Sequence, residues 1–364
     1  TKLASSTAAT TYQAINTNVS TTELGYLDGV TSAIQTQLNQ KPEVVAGKNA
    51  VLNSNFSVWQ RGTSITTASA VYTADRWQSG IASAGTVSRQ VTGDTTNLPN
   101  IQYCLRNQRT AASSSTSDLA LSQSFETINS IPFVGKTIAF SFYARKGSNF
   151  SATSDLLTAR VVTGTGTDQN LYSGYTGQAT ALQVSATLTT TWQRFSGTVA
   201  IASTVTELGV QFFATPTGTA GAADYYDITG VQLEVGSVAT PYAPNGATYQ
   251  AELAACQRYY YRAGGNAAYE NFGFGTADGT TAGNFLVFLK STLRTNAASV
   301  DFASLEVNDP GTGAIAVTGL TIDQTGANQV NVRATVASGM TSKRPYFLRA
   351  AGTTAGYLGF SAEL

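Results

Sequence analysis

The pattern of hydrophobic and polar positions changes period once along this chain, near residue 50. Before the change, "TTELGYLDGVTSAIQTQLNQK" (21–41) carries two rows at seven-residue spacing: Leu24, Thr31 and Leu38, and three positions on, Leu27 and Ile34. That is the a/d spacing of a coiled-coil seam. Ser20 and Glu23 have capping-box spacing, and Pro42 stops the segment. Gly25 and Gly29 each cost a helix about 1 kcal/mol relative to Ala, and so short a helix is marginal alone in water. The spacing therefore predicts a helix over about 21–40 that persists only when it packs on copies of itself. The polar, Ala/Thr/Ser/Asn/Gln-rich residues 1–47 around it read as a stalk.

From about residue 48 the period is two. "KTIAFSFYARKG" places Ile138, Phe140 and Phe142 on one face and Ala139, Ser141 and Tyr143 on the other. "DLLTARVVTG", "ALQVSATL", "WQRFSGTVAI", "ELGVQFFATPTG" and "YYDITGVQLEVG" follow, separated by Gly, Thr, Asn and Pro clusters. Many short strands with no interleaved helices predict an antiparallel sandwich of the jelly-roll kind over 48–247. Pro241 and Pro244 in "GSVATPYAPNGATYQ" mark a boundary. Beyond it, strand-like runs from "CQRYYYRAGG" to "GYLGFSAEL" predict a second β-sandwich over 248–364. The expected fold class is mainly β: a short N-terminal helical stalk, then two antiparallel β-sandwich domains.

Composition narrows the chemistry. Histidine is absent and 12% of residues are charged, with no net charge. Ser-His-Asp and Cys-His nucleophiles and His-based metal sites are thereby excluded. Zero net charge leaves no electrostatic footprint for nucleic acid or an anionic membrane, and no apolar run is long enough to span a bilayer. No charged region followed by an apolar one opens the chain, so no secretory signal is visible. Cys104 and Cys256 read as small buried hydrophobes.

The carboxylates Asp75, Asp155, Asp224, Asp227, Glu234, Asp301 and Glu306 remain as catalytic candidates, but nothing in the sequence pairs two of them as glycoside hydrolysis requires. Trp59, Trp77 and Trp192 lie in or beside strand patterns and read as core. In "QRYYYR", alternation places Tyr259 and Tyr261 on one face and Tyr260 opposite, which reads as packing. The better contact candidates are aromatics in Gly-rich loops: Tyr172 and Tyr175 in "GTGTDQNLYSGYTGQ", and Tyr269, Asn271 and Phe272 in "GGNAAYENFGFGTADG". Rigid aromatics among small polar residues make adaptable binding surfaces. The same residues also read as loop aromatics folded onto their own sandwich.

Several phrases together resemble a bacteriophage tail-fibre module: "VLNSNFSVWQRGTS", "YTADRW", "DITGVQLEVGSVATPY" and "YQAELAACQRYYYR". In that family a carbohydrate-binding-module-like jelly roll precedes a hinge of the "ELxxCQRYY" type. "GYLGFSAEL" resembles the close of its distal tip domains, and "ELGYLDGVTSAIQTQLNQK" resembles a short trimerisation element of phage fibres. The resemblance implies a homotrimeric, non-enzymatic, receptor-binding fibre in a virion. It would be made in the host cytoplasm, join other tail or baseplate proteins through its N-terminus, and present its tip to a host surface glycan or protein. It also implies a structural Ca2+ near the first and last strands of the jelly roll. The matching positions are Asn55 and Ser57, with Asp227; where Ser57 stands, the family often has a carboxylate. Two rival readings are a purely structural collar, spacer or decoration fibre and a polysaccharide depolymerase.

Overall fold

The computed structural model of the protein describes residues 48–67, 70–80, 85–309, 311 and 313–364. The expected stalk helix and its seam, Leu24, Leu27, Thr31, Ile34 and Leu38, lie outside the described residues.

Among the described residues, twelve strands build the first body. They are β1 (Ser64–Thr67), β2 (Val71–Tyr72), β3 (Gln78–Ser79), β4 (Gly85–Val91), β5 (Tyr103–Arg109) and β6 (Leu119–Ser124), then β7 (Thr137–Lys146), β8 (Leu156–Gly164), β9 (Ala179–Thr187), β10 (Gln193–Ala200), β11 (Glu207–Ala214) and β12 (Tyr225–Val235). They form two six-stranded antiparallel sheets, ordered β1-β4-β5-β12-β7-β10 and β2-β3-β6-β11-β8-β9. The predicted alternation explains the core between them. Ile138, Phe140 and Phe142 of β7 point inward and meet Phe212 of β11, with the Phe142 and Phe212 rings edge-on at 5.0 Å. Trp77, fully buried, lies 5.1 Å from Phe56 and 6.1 Å from Phe212. Trp59 and Trp192 are buried as well. Each such aromatic removes about 150–250 Å² from water, which makes these rings the main apolar contribution to the sandwich.

The first sheet is also covered on its outer side. Leu98, Ile101, Cys104 and Trp192 make a small second core there, with Tyr143 and Tyr242 against it. Residues 240–243 bind back onto β12, through Thr240 N–H to Glu234 (2.8 Å) and Ala243 N–H to Gln232 (2.8 Å). Ala139 and Ser141, the "outer" positions of β7, are consequently buried too. Cys104 and Cys256 are both free and buried, and burial pushes both thiols up.

The second body comprises β13 (Tyr260–Gly264), β14 (Asn271–Ala277), β15 (Ala282–Phe288), β16 (Ser299–Ala303), β17 (Leu305–Asp309), β18 (Gly313–Thr325), β19 (Gln329–Val336), β20 (Pro345–Ala350) and β21 (Tyr357–Ser361). The expected sandwich is instead a closed barrel, β14-β15-β19-β18-β17-β20, beside a three-stranded sheet, β13-β21-β16. Glycine permits the closure at β14. A Cβ on Gly275 would fall 1.7 Å from the Asn284 carbonyl oxygen, and one on Gly273 2.4 Å from that of Leu286. Only bare backbone lets β14 lie so close to β15.

The segment expected to separate two domains is built into the first body. Thr248 caps helix α1 (Tyr249–Gln257), its side chain accepting from Ala251 N–H at 3.2 Å. Glu252 in its first turn is 3% exposed and accepts from the N–H groups of Gly246 (2.8 Å) and Asn53. Past the helix, Tyr259, Tyr260 and Tyr261 are all buried and serve as packing. Tyr259 donates to Glu126 at 2.5 Å, and Tyr260 donates to Asp301 at 2.9 Å. The described residues from Lys48 to Leu364 accordingly belong to one compact unit.

Candidate functional site

The sheet β2-β3-β6-β11-β8-β9 carries a polar outer face on which Gln78, Gln211, Arg160 and Phe213 are half-buried, Gln183 is exposed, and Ser122 and Thr158 are buried. Strand register aligns one outward side chain from each of five strands there. Gln78 (β3) lies opposite Ser122 (β6), Ser122 opposite Gln211 (β11), Gln211 opposite Arg160 (β8), and Arg160 opposite Gln183 (β9). At about 4.8 Å per strand, the row crosses roughly 19 Å of sheet. A second row, two residues along, holds Ala120, Phe213, Thr158 and Ser185. The residues between the rows, Leu121, Phe212 and Ala159, point into the core, as period-two alternation requires.

The face mixes hydrogen-bonding groups with aromatic surface. The Arg160 guanidinium lies 4.4 Å from the Phe213 ring centroid, and its Nε donates to Gln183 at 3.1 Å. Among the described residues, Arg160 has no carboxylate partner, and the Gln78 and Gln211 carboxamides and the Tyr172 hydroxyl hold no hydrogen bond. Tyr172 is 43% exposed at the β3 margin. Its ring rests on Gly80, where a Cβ would fall 2.4 Å from Tyr172 Cε2. The backbone N–H of Tyr172 donates to Asn170 (2.8 Å), whose Nδ2 donates to the Leu364 carbonyl (2.6 Å). Residues at the far end of the chain thus anchor the turn that carries this tyrosine.

The other expected contact residues separate. Tyr175, paired with Tyr172 in the sequence reading, is 6% exposed, and its hydroxyl donates to the Leu208 carbonyl at 2.9 Å. With Val162 and Leu171 it closes one end of the same face, so it is packing and not contact surface. Tyr269 is exposed, with the Arg349 guanidinium 4.8 Å from its ring centroid. Asn271 is exposed directly across the ladder from Arg349. Phe272 turns away, half-buried against the barrel core and Gly264.

Asp227 does not fit a cation ligand. Arg106 donates to both its oxygens (2.8 and 3.0 Å) and Arg145 to one of them (2.9 Å). Asn55 accepts from Ser57 N–H at 3.3 Å. Among the described residues, no group of three or more Cys, Asp or Glu side chains could hold a metal ion. The remaining carboxylates are engaged one by one. Asp155, Asp224, Glu234 and Glu306 pair with Lys146, Arg109, Lys48 and Arg349, while Asp301 and Asp75 accept from Tyr260 and Gln60. No helix among the described residues is long and apolar enough to cross a membrane.

Sequence reasoning missed Phe213, Gln211, Arg160, Gln183 and Gln78. The signal was present: in "ELGVQFFA", Gln211 and Phe213 occupy the positions that alternate with the core residues Val210 and Phe212.

No protein-family model and no curated protein matches the chain. Among solved structures, similarity is found to the CBM22-1 and GH10 modules of the Clostridium thermocellum endo-1,4-beta-D-xylanase 10B complexed with xylohexaose. That match has 10% identity and TM-score 0.29, and covers 46% of this chain and 27% of that one. The CBM22-1 xylan-binding domain from Paenibacillus barcinonensis matches at 12% identity and TM-score 0.31, over 53% of this chain and 98% of that one. The enzymatically active domain of bacteriophage CBA120 tailspike protein 4 matches at 10% identity and TM-score 0.30, over 52% and 21% respectively. At these scores the likenesses assign neither ligand nor activity to this chain.

Proposed function

We propose that the chain is a non-enzymatic receptor-binding protein of a bacteriophage tail fibre, a homotrimer that adheres to host-surface glycan through the polar outer face of its jelly roll. The observation that carries the reading is the cross-strand row Gln78–Ser122–Gln211–Arg160–Gln183 beside the aromatic surfaces of Phe213 and Tyr172. Sugars offer apolar C–H faces and dense hydroxyls, so their recognition needs apolar surface together with groups that both donate and accept. Carboxamides and a tyrosine hydroxyl do both, and Arg160 adds donors. Among the described residues, each candidate carboxylate holds its own partner and none faces another, which supports adhesion over hydrolysis by a carboxylate pair. Three weak sites on one axis reinforce one another, raising apparent affinity by about 10²–10⁴-fold on a repetitive surface.

The test joins solution mass to a glycan array. Light scattering is expected to give three 38.0 kDa chains per particle, about 114 kDa. The trimer is expected to bind members of the array, with Tyr172→Ala or Phe213→Ala weakening each site about tenfold. A blank array for an intact trimer, or binding indifferent to both substitutions, would refute glycan adhesion by this face. A monomer would refute the fibre.

A further inference from the structure

The barrel carries a second concave surface that the jelly-roll face does not explain. Cross-strand register lines up Phe347 (β20), Phe274 (β14), Leu286 (β15), Asn331 (β19) and Gln324 (β18) on the outside of the wall. Phe274 is 59% exposed, although its strand neighbours Gly273 and Gly275 and the facing Phe285 and Val287 all lie further in. Phe274 and Leu286 form the apolar floor of a cavity of about 610 Å³, walled by Asn284, Gln324, Gln329 and Asn331. That volume lies within the roughly 300–1,000 Å³ usual for small-ligand sites.

We infer that this cavity is a second, independent saccharide site, one that takes a neutral sugar ring. The polar wall consists of carboxamides, which pair with vicinal hydroxyls as donor and acceptor together. Among the described residues, the Gln324 and Gln329 side chains hold no hydrogen bond, and Asn284 Oδ1 is buried without a partner. Of the nearby charges, Arg333 pairs with Asp278, while Asp323 accepts from Asn331 at 3.1 Å and keeps its negative charge. An anionic sugar therefore finds no free cation. A sugar ring stacks its C–H face on Phe274 and meets the carboxamides with hydroxyls that donate and accept as they do. This inference does not depend on the jelly-roll face.

The test is saturation-transfer NMR on the full chain with methyl glycosides of glucose, galactose, mannose, N-acetylglucosamine and N-acetylgalactosamine. Each is used at about 10 mM, suited to the millimolar affinity of one stacked ring. At least one glycoside is expected to receive saturation at its ring protons. The signal should survive the double variant Tyr172→Ala/Phe213→Ala and vanish when Phe274→Ser is added to that double variant. Gln324→Ala, at an exposed position, should weaken binding severalfold and stands in if Phe274→Ser does not fold. Silence across the panel overturns the inference. So does a signal that Tyr172→Ala/Phe213→Ala abolishes and Phe274→Ser spares, which would leave the jelly-roll face as the sugar site. A silent panel with a lower particle mass in Phe274→Ser would reassign the wall to contact between chains.

Discussion

Asp75 lies fully buried two residues before Trp77, its carboxylate accepting from both donors of Gln60, the backbone N–H at 2.9 Å and the side-chain Nε2. Burial raises its pKa to about 6, against the opposing pull of Arg61 and the Gln60 hydrogen bonds. The folded protein thus holds this proton more tightly than the unfolded chain, whose Asp titrates near 3.9. The associated stability is fully present below about pH 4 and is lost as pH rises through about 6. Relative to Asp75→Asn, the wild-type chain is expected to lose about 2 kcal/mol of unfolding free energy between pH 4 and pH 7, since each tenfold difference in proton affinity is worth about 1.4 kcal/mol and the unfolded Asp is already about half ionised at pH 4. Denaturant titrations of both proteins at the two pH values check this, and parallel pH dependences would show that the side chain does not titrate there. At this scale the sequence is partly legible. Asp75 and Arg76 are adjacent and opposite in charge, yet they form no ion pair with each other. Arg76 pairs with Glu363, a partner 287 positions away that no local pattern indicates.

Among elements, the strands were the most legible feature and their edges the least. Alternation in β7 placed Ile138, Phe140 and Phe142 correctly in the core, because facing a second sheet demands an apolar residue at every other position. Tyr172 shows what alternation leaves out. Its place follows from a missing side chain on another element, Gly80, whose φ is not in the left-handed region. Gly80→Ala therefore carries little backbone strain and acts by displacing the Tyr172 ring from the face. It is expected to reduce glycan binding as far as Tyr172→Ala does, while the thermal midpoint moves by no more than about 4 °C, as for changes of under 1 kcal/mol. Array binding and calorimetry on the two variants test this, and a Gly80→Ala protein that binds as wild type would detach Tyr172 from the site.

Over the whole molecule, the decisive feature is the weld between jelly roll and barrel. Glu363 accepts from Arg76 and, at 3.3 Å, from Arg61, with the Arg76 and Glu363 side chains 2% and 5% exposed. The two guanidiniums stack on Tyr259 (3.5 Å) and Tyr260 (3.6 Å). Gln60 Nε2 donates to the Tyr260 carbonyl at 2.6 Å, and Arg258 grips Glu126 through two bonds of 3.0 and 2.9 Å. Glu363→Ala leaves the buried Arg76 charge without its carboxylate, a change that costs about 3–5 kcal/mol. Scanning calorimetry is expected to show a single unfolding transition for jelly roll and barrel in the wild type, and a lower or divided one in Glu363→Ala. Two well-separated transitions already in the wild type would mean that the bodies are independent. The sequence by itself determined the β class, the positions of most strands, the burial of the three tryptophans and the absence of histidine chemistry, because each is set by residue type or by a period of two within one element. Tertiary structure alone decided that the distal strands close into a barrel, that the Pro-rich boundary is a fastened joint, that Asp227 belongs to Arg106 and Arg145, and which outward residues share a face. All of these depend on register and contacts between residues tens to hundreds of positions apart, and a local pattern carries no information about them.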